Sequence, residues 1–349
     1  MKIALVSPLC EAVPPMFYGG TERVVAHLSN ALVDQGHDVT LFAAGGSCTR
    51  ATLVPFRQQA LRLDPAPLKS DLAAHLVLMS EVRRRADEFD VLHFHMELLH
   101  FPFFEDIAER TLTTMHGRLD LTDLPEAYGR WNEFPLVSIS HQQRKPMASA
   151  NWLGNVYNGV DDALFRVPAR PSGGYLAFLG RIAPEKRPDR AIDIAIRAGL
   201  PLKIAAKVDP VDRAYFEGCI RPLLAHPLIE FVGEVNDAQK PAFLGNARAL
   251  LFPIDWPEPF GLVMIEAMAC GTPVIAWRCG SVPEVVEPGV SGLIVDNEEE
   301  AVDAVKRAVQ IDRRRVRASF DRRFSARAMA TAYVELYHRL LAMSLPAVA

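Results

Sequence analysis

The stretch Pro257-Glu258-Pro259-Phe260-Gly261-Leu262-Val263-Met264-Ile265-Glu266-Ala267-Met268-Ala269-Cys270-Gly271-Thr272-Pro273-Val274-Ile275 reads as the loop, helix and second strand of a strand–helix–strand unit. The apolar run 249–253 ends ahead of it as a strand, and Glu258 falls in the following loop. A helix opens around Phe260-Gly261 and runs to Cys270, and 273–276 returns as a strand. The start of a helix offers unpaired amide N–H groups and partial positive charge, which suit hydroxyls and phosphates of a ligand. Glu266 sits about a turn and a half into that helix. Both carboxylates can therefore address one ligand from different heights. For either Glu alone, a bland role is commoner: Glu258 as a helix cap, Glu266 as an arginine's partner.

Outward from this unit the same alternation of short apolar runs and amphipathic segments fills the chain, the pattern of parallel α/β architecture. In the first half the spacing predicts strands at 2–7, 38–43, 52–56, 91–95, 111–115 and 136–140, with a helix over 21–35 that ends at Gly36. The segment 158–174, with Pro168, Pro171, Gly173 and Gly174, has linker composition. The pattern then restarts, with strands at 175–179, 202–206, 229–232, 249–253, 273–276 and 292–295. Helices fall at 188–198, 211–225, 240–245, 261–270 and 298–310, and a last one at 326–341 has no strand after it. Two doubly wound halves imply ligand binding beyond the carboxyl ends of their strands.

Three more motifs sit where such a fold places ligands. Gly180-Arg181-Ile182-Ala183-Pro184-Glu185-Lys186-Arg187-Pro188 follows the first strand of the second half. Arg181 and Lys186 could neutralise charge on a leaving diphosphate, a task that otherwise needs a divalent metal; two solvent-facing cations are the bland alternative. No Asp-x-Asp, the usual metal–diphosphate anchor, occurs in the chain. Tyr18-Gly19-Gly20-Thr21-Glu22-Arg23 lets backbone approach a phosphate at a helix start, although a Gly-Gly pair is more often only a turn. Thr113-Thr114-Met115-His116-Gly117 ends a strand, so His116 points to the ligand edge unless it merely caps or fills the core. His93 and His95 alternate on one strand face like a metal pair. With no acidic or cysteine partner nearby, lining of the ligand cleft is the preferred reading, and no metal site is expected.

Taken together, Glu258 and Glu266 eight positions apart with Pro-Phe-Gly between them resemble the Glu-x7-Glu signature of family-4 retaining glycosyltransferases. The helix exit Cys270-Gly271-Thr272-Pro273 extends the match. Asn158-Gly159-Val160-Asp161, Phe231-Val232-Gly233-Glu234, Gly280-Ser281-Val282-Pro283-Glu284 and Gly289-Val290-Ser291-Gly292 carry it along essentially the whole chain. The resemblance implies a GT-B fold: two Rossmann-like doubly wound domains facing a central cleft. Residues 1–168 would form the acceptor-side domain, 169–325 the nucleotide-sugar domain, and 326–349 a helix packing back on the first. It further implies that His116, Arg181, Lys186 and Glu258 serve the reacting centre. Gly19, Gly20, Gly233, Phe260, Gly261, Leu262 and Glu266 would hold the donor, with Glu266 on the ribose hydroxyls. The expected reaction transfers a hexose with retention, UDP-glucose being the first donor to consider and GDP-mannose or UDP-N-acetylglucosamine the next. No cofactor or metal is expected, and the acceptor stays unidentified; candidate acceptor loops are 10–18, 98–104 and 118–131. One departure stands out: Ala205-Ala206-Lys207-Val208-Asp209-Pro210 replaces a glycine-rich turn, and Lys207 could face phosphate, base or solvent.

Bulk properties narrow the alternatives. The chain has 349 residues, enough for two domains, half of them apolar, and a net charge of -4 that disfavours nucleic acid as a partner. Five scattered cysteines without a Cys-x-x-Cys disfavour a disulfide scaffold. The apolar run 3–6 is too short for a signal-peptide core and reads as a buried strand, so a cytoplasmic protein is expected. Nothing approaches a membrane span, which leaves peripheral membrane contact open. The basic run 313–317 with Arg322 and Arg323 reads as a solvated helix face, because Asp312 and Asp321 interrupt it. A nucleotide-sugar epimerase on a similar scaffold and a catalytically inactive sugar-nucleotide sensor are the rival functions.

Overall fold

The computed structural model describes residues 1–16, 19–169 and 171–344. Tyr18 of the glycine motif, the end of the 10–18 loop and the last residues of 326–349 lie outside them. The chain divides into two compact units, 1–159 with 326–349, and 160–325.

The first unit runs β1 (Lys2–Val6), α1 (Gly20–Asp34), β2 (Asp38–Ala44), β3 (Thr52–Phe56), α2 (Asp71–Arg84), β4 (Val91–Phe94), α3 (Phe101–Phe104), β5 (Thr111–Thr114), α4 (Leu124–Arg130), β6 (Leu136–Ser138) and β7 (Trp152–Asn155). All pairings are parallel in the order β3-β2-β1-β4-β5-β6-β7. Strand order reverses between β1 and β4, with Leu5 opposite both Leu41 and His93. Ile3, Ala4, Leu5 and Val6 are fully buried, as a central parallel strand covered on both faces requires.

The second unit contains β8 (Leu176–Arg181), α5 (Pro188–Ala198), β9 (Leu202–Lys207), α6 (Arg213–Tyr215), β10 (Ile229–Gly233), α7 (Lys240–Gly245), β11 (Ala249–Phe252), α8 (Leu262–Ala269), β12 (Val274–Trp277), α9 (Val282–Val285), β13 (Gly292–Val295), α10 (Glu298–Ala308) and α11 (Arg313–Arg323). Its order, β10-β9-β8-β11-β12-β13, is again parallel throughout and reverses between β8 and β11. Arg181 therefore ends one switch-point strand, and the loop carrying Glu258 follows the other. A last helix, α12 (Ala326–Ser344), belongs to the first unit and packs on α1. Gln35 Nε2 donates to Arg327 O and Thr331 Oγ1, each at 3.2 Å, and Tyr333 and Tyr337 are fully buried.

Four details depart from the sequence reading. The units divide after Gly159 rather than at 168/169, because Val160 N donates to Phe324 O at 3.0 Å and Val160 bridges to Ser325. The single helix expected at 211–225 is broken into α6, a π-turn at Phe216–Ile220 and a 3-10 segment at Arg221–Ala225. Pro222, which has no N–H to donate, prevents a continuous helical ladder there. Strand β7 was not anticipated; its four residues, Trp-Leu-Gly-Asn, carry no period-2 pattern and only Leu153 is buried. The basic run does form a helix, α11, but its face is not wholly solvated. Arg313 donates to Ala247 O at 2.9 Å, Gly245 O at 2.5 Å and Thr272 Oγ1 at 2.6 Å, while Arg317 Nη1 donates to Ala269 O and Phe165 O at 2.7 Å. With Arg313 Nη2 also donating to Cys270 O at 3.3 Å, the two arginines reach the Ala269 and Cys270 carbonyls at the end of α8, where a helix leaves acceptors unpaired and a cation is favoured.

Candidate active site

In the second unit, Glu258 is held from three directions. Its Oε2 pairs with Lys186 Nζ and accepts from Trp256 Nε1 at 2.8 Å. The Lys186 ammonium also lies 4.9 Å from the Trp256 ring centroid, so the indole supports the lysine as well as the carboxylate. The backbone is braced by the loop after β12: Ser281 N donates to Glu258 O at 3.0 Å, and Ser281 Oγ to Phe260 O at 2.6 Å. Gly280 has φ 54°, and a Cβ there would lie 2.4 Å from Glu258 N, so only glycine lets the two loops close.

Glu266 is buried in α8, where its Oε1 accepts from Lys240 Nζ at 2.7 Å. Lys240 is buried too, with Asp237 at 3.4 Å as a second neighbour. The other Glu266 oxygen has no hydrogen bond among the described residues. Phe260 is buried with its ring edge-on to Phe324, and Gly261 adopts φ 81° as it turns the chain into Leu262, the first helical residue. A Cβ on Gly261 would meet Met264 and Phe252 at 2.9 Å. Gly233 has φ 76° at the end of β10 with open space where a Cβ would be, so conformation alone calls for glycine.

Arg181 and Lys186 are already engaged, which the sequence reading did not anticipate. Arg181 bonds Glu185 and lies 3.7 Å from Asp209 Oδ2 and 3.6 Å from Asp212 Oδ2. Lys207 is opposite Arg181 in the β8–β9 register and reaches Asp209 at 2.7 Å. The departure noted at 205–210 therefore sets a second cation and a carboxylate beside Arg181. Arg187, bound to Asp189 and Asp255, stands apart from this group.

In the first unit, α1 opens at Gly20 with Gly19 before it, where a Cβ would be 2.8 Å from Pro15. His116, partly buried two residues beyond β5, places Nε2 2.9 Å from His95 Nδ1. His93 is a correction to the cleft-lining reading. It is fully buried, with Nδ1 2.8 Å from Tyr337 Oη and Nε2 2.7 Å from Thr114 Oγ1, and Thr114 Oγ1 is 2.8 Å from Tyr333 Oη. His100 is equally enclosed, stacked on Phe94 at 3.8 Å. Among the described residues no group of three or more His, Cys, Asp or Glu could hold a metal, and no helix is long and apolar enough to cross a membrane.

Burial pushes His116 down to about 4 and His93 to about 3, against 6.5 for an ordinary imidazole. Between those values and 6.5 the unfolded chain binds protons that the native chain does not. The stability they contribute is thus complete above pH 6.5 and lost as pH falls, by about 1.4 kcal/mol per unit for each group. Thermal unfolding between about pH 7.5 and 5 is expected to show a midpoint that drops steadily below pH 6.5. A midpoint flat across that range would contradict a neutral, buried histidine cluster.

Several residues of these clusters carried no signal of spacing: Lys240 opposite Glu266, Asp209 and Asp212 about Arg181, and His95 against His116. Trp256, two positions before Glu258, was readable only as a neighbour.

Residues 161–323 match the family model described as glycosyl transferases group 1, and residues 18–163 match that described as glycosyltransferase family 4. The D-inositol 3-phosphate glycosyltransferase of Mycolicibacterium gilvum is 33% identical over 339 residues, spanning 80% of this chain and 74% of its own. The phosphatidyl-myo-inositol mannosyltransferase of Propionibacterium freudenreichii is 27% identical over 312 residues, spanning 79% and 77%. Among solved structures, AviGT4, a glycosyltransferase involved in avilamycin A biosynthesis, superposes with a TM-score of 0.75 at 25% identity over 98% of both chains. HepE of Anabaena, solved with UDP and glucose, gives 0.75 at 19% identity over 99% of this chain and all of its own. The chain belongs to glycosyltransferase family 4 and is a glycosyltransferase with the GT-B fold.

Proposed function

We propose that this enzyme transfers a hexosyl group from a nucleoside-diphosphate sugar to an acceptor hydroxyl, with retention and without a metal. The observation that carries this reading is the Lys186–Glu258–Trp256 cluster beside the start of α8. It puts a cation and a carboxylate together where the amides of Leu262 and Val263 lack intrahelical acceptors. The diphosphate would displace Glu258 from Lys186, leaving the carboxylate for the sugar and the ammonium for the leaving oxygen. Arg181, with Lys207 beside it, adds positive charge from the end of β8. Glu266 takes the ribose hydroxyls through its open oxygen. His116, Gly19 and Gly20 keep the donor-contacting roles that the resemblance implies. Front-face attack, with the acceptor proton passing to the leaving phosphate oxygen, requires no protein nucleophile.

UDP-glucose is the first donor to test, since HepE is described bound to it. The relatives' names make D-inositol 3-phosphate the first acceptor. With both present, transfer is expected to survive excess EDTA, because cationic side chains replace the metal. Complete loss with EDTA, restored by magnesium or manganese, would refute metal independence. Proton NMR of slow UDP-glucose hydrolysis should show α-glucose released first; initial release of β-glucose would refute retention.

A further inference from the structure

His95 follows β4 and His116 follows β5, so both rings lie at the carboxyl edge of the first sheet. Their contact, His95 Nδ1 to His116 Nε2 at 2.9 Å, needs a proton on one of the two nitrogens. Burial lowers both rings' proton affinity, so each is neutral near pH 7 and carries a single N–H. The other nitrogen of His95, Nε2, is buried and has no hydrogen-bond partner among the described residues. With the His95 proton on Nε2, a buried N–H would point at no acceptor. With it on Nδ1, the orphan is only a lone pair. Buried orphan donors are the rarer of the two in native proteins.

We infer that His95 is a positioning residue: it donates its Nδ1–H to His116 Nε2 and holds His116 in the Nδ1–H tautomer. His116 Nδ1 makes no hydrogen bond among the described residues, so its N–H is presented to a ligand oxygen at the sheet edge. A neutral donor of this kind suits a sugar hydroxyl and does not compete with cations for the diphosphate. The surroundings keep His95 from turning. Its backbone amide donates to Val6 O at 3.0 Å, which fixes the main chain, and its ring packs 4.2 Å from that of His93. His93 is itself clamped between Thr114 and Tyr337 of α12. The His95 ring is thus braced by packing that reaches through His93 to the C-terminal helix, while its tautomer is set by the contact with His116.

The consequence for turnover rests on His116 touching the donor, as proposed above; the tautomer does not. Long-range proton–nitrogen correlation spectra of the histidine-labelled protein, assigned with His95 and His116 variants, read it directly. An isolated neutral imidazole favours Nε2–H, so the expected His116 signature, a protonated Nδ1 and a bare Nε2, is distinctive. His95→Asn, whose amide can donate from near the Nδ1 position, should keep that signature and most of the donor hydrolysis rate. His95→Leu should shift His116 towards Nε2–H and slow hydrolysis about tenfold or more, by analogy with the loss of partners that orient metal-bound histidines. UDP affinity should stay within about twofold, because His95 is not among the residues proposed to grip the nucleotide. A His116 already protonated at Nε2 in the unmodified protein overturns the inference, even if His95→Leu fails to fold. So does a His95→Leu protein that retains the Nδ1–H signature. His116→Ala with unchanged turnover would instead refute the donor role of His116 and leave the tautomer assignment standing.

Discussion

Replacing Lys186 with alanine is expected to lower the turnover number by about two to three orders of magnitude, the usual cost of removing one preorganised donor from a developing oxyanion. Charge on the leaving phosphate grows towards the transition state, so a cation placed for it contributes more there than in the ground state. A lysine that only gripped the bound diphosphate would raise KM and leave kcat alone. The structure adds a second consequence, because Glu258 loses its ion-pair partner and keeps only the Trp256 N–H. Arg181→Ala should also reduce turnover, and it should cost stability as well. Its removal leaves Glu185, Asp209 and Asp212 facing one another with Lys207 as the remaining cation shown among them. The double variant should lose less than the sum if both cations serve one oxyanion. Steady-state kinetics on the four proteins decide this; unchanged kcat in both single variants would remove the leaving-group assignment.

Glu266→Ala should damage both folding and nucleotide binding. Glu266 and Lys240 are 3% and 8% exposed, so truncating the carboxylate leaves an ammonium group buried with only Asp237 nearby. Breaking such a pair costs about 3–5 kcal/mol, here towards the lower end because Asp237 compensates in part. Loss of the proposed hydrogen bonds from two ribose hydroxyls to the carboxylate, at about 1.5–3 kcal/mol each, should weaken UDP binding by a hundredfold or more. Lys240→Met separates the effects. It should destabilise the second unit comparably, yet keep UDP affinity within about tenfold, because the ribose-facing oxygen remains. Unfolding midpoints and calorimetric UDP titrations of the two variants test this; equal affinity losses would show that Glu266 acts only as the partner of Lys240.

Lys240 illustrates where sequence reasoning ends. Glu258 and Glu266 were legible because one loop–helix unit carries both: Glu258 precedes α8 and Glu266 lies about a turn into it, so their eight-residue spacing sets two carboxylates at different heights. The parallel sheets were legible for a similar reason. Buried strands such as 249–252 and 274–277 are apolar throughout, and glycines such as Gly261 and Gly271 stand where φ turns positive. Lys240 comes to Glu266 from another helix, 26 residues earlier, and no period relates them. The same holds for Arg313 and Arg317, whose run of like charges suggests solvent until the end of α8 is placed against it. His93 failed differently. Strand alternation set His93 and His95 on one face correctly, with ring centroids 4.2 Å apart, but α12 covers that face with Tyr333 and Tyr337. Local pattern tells which residues share a side; what lies opposite is decided by chain far away in sequence.

If the proposed mechanism is right, a nucleoside diphosphate binds this protein without a metal, chiefly through residues of the second unit. Calorimetric titration of UDP, GDP and ADP into the protein in excess EDTA tests it most directly. Saturable binding of at least one of them is expected at one site per chain, lost or strongly weakened in Glu266→Ala. Absence of binding by all three in EDTA, with binding restored by magnesium or manganese, would contradict it.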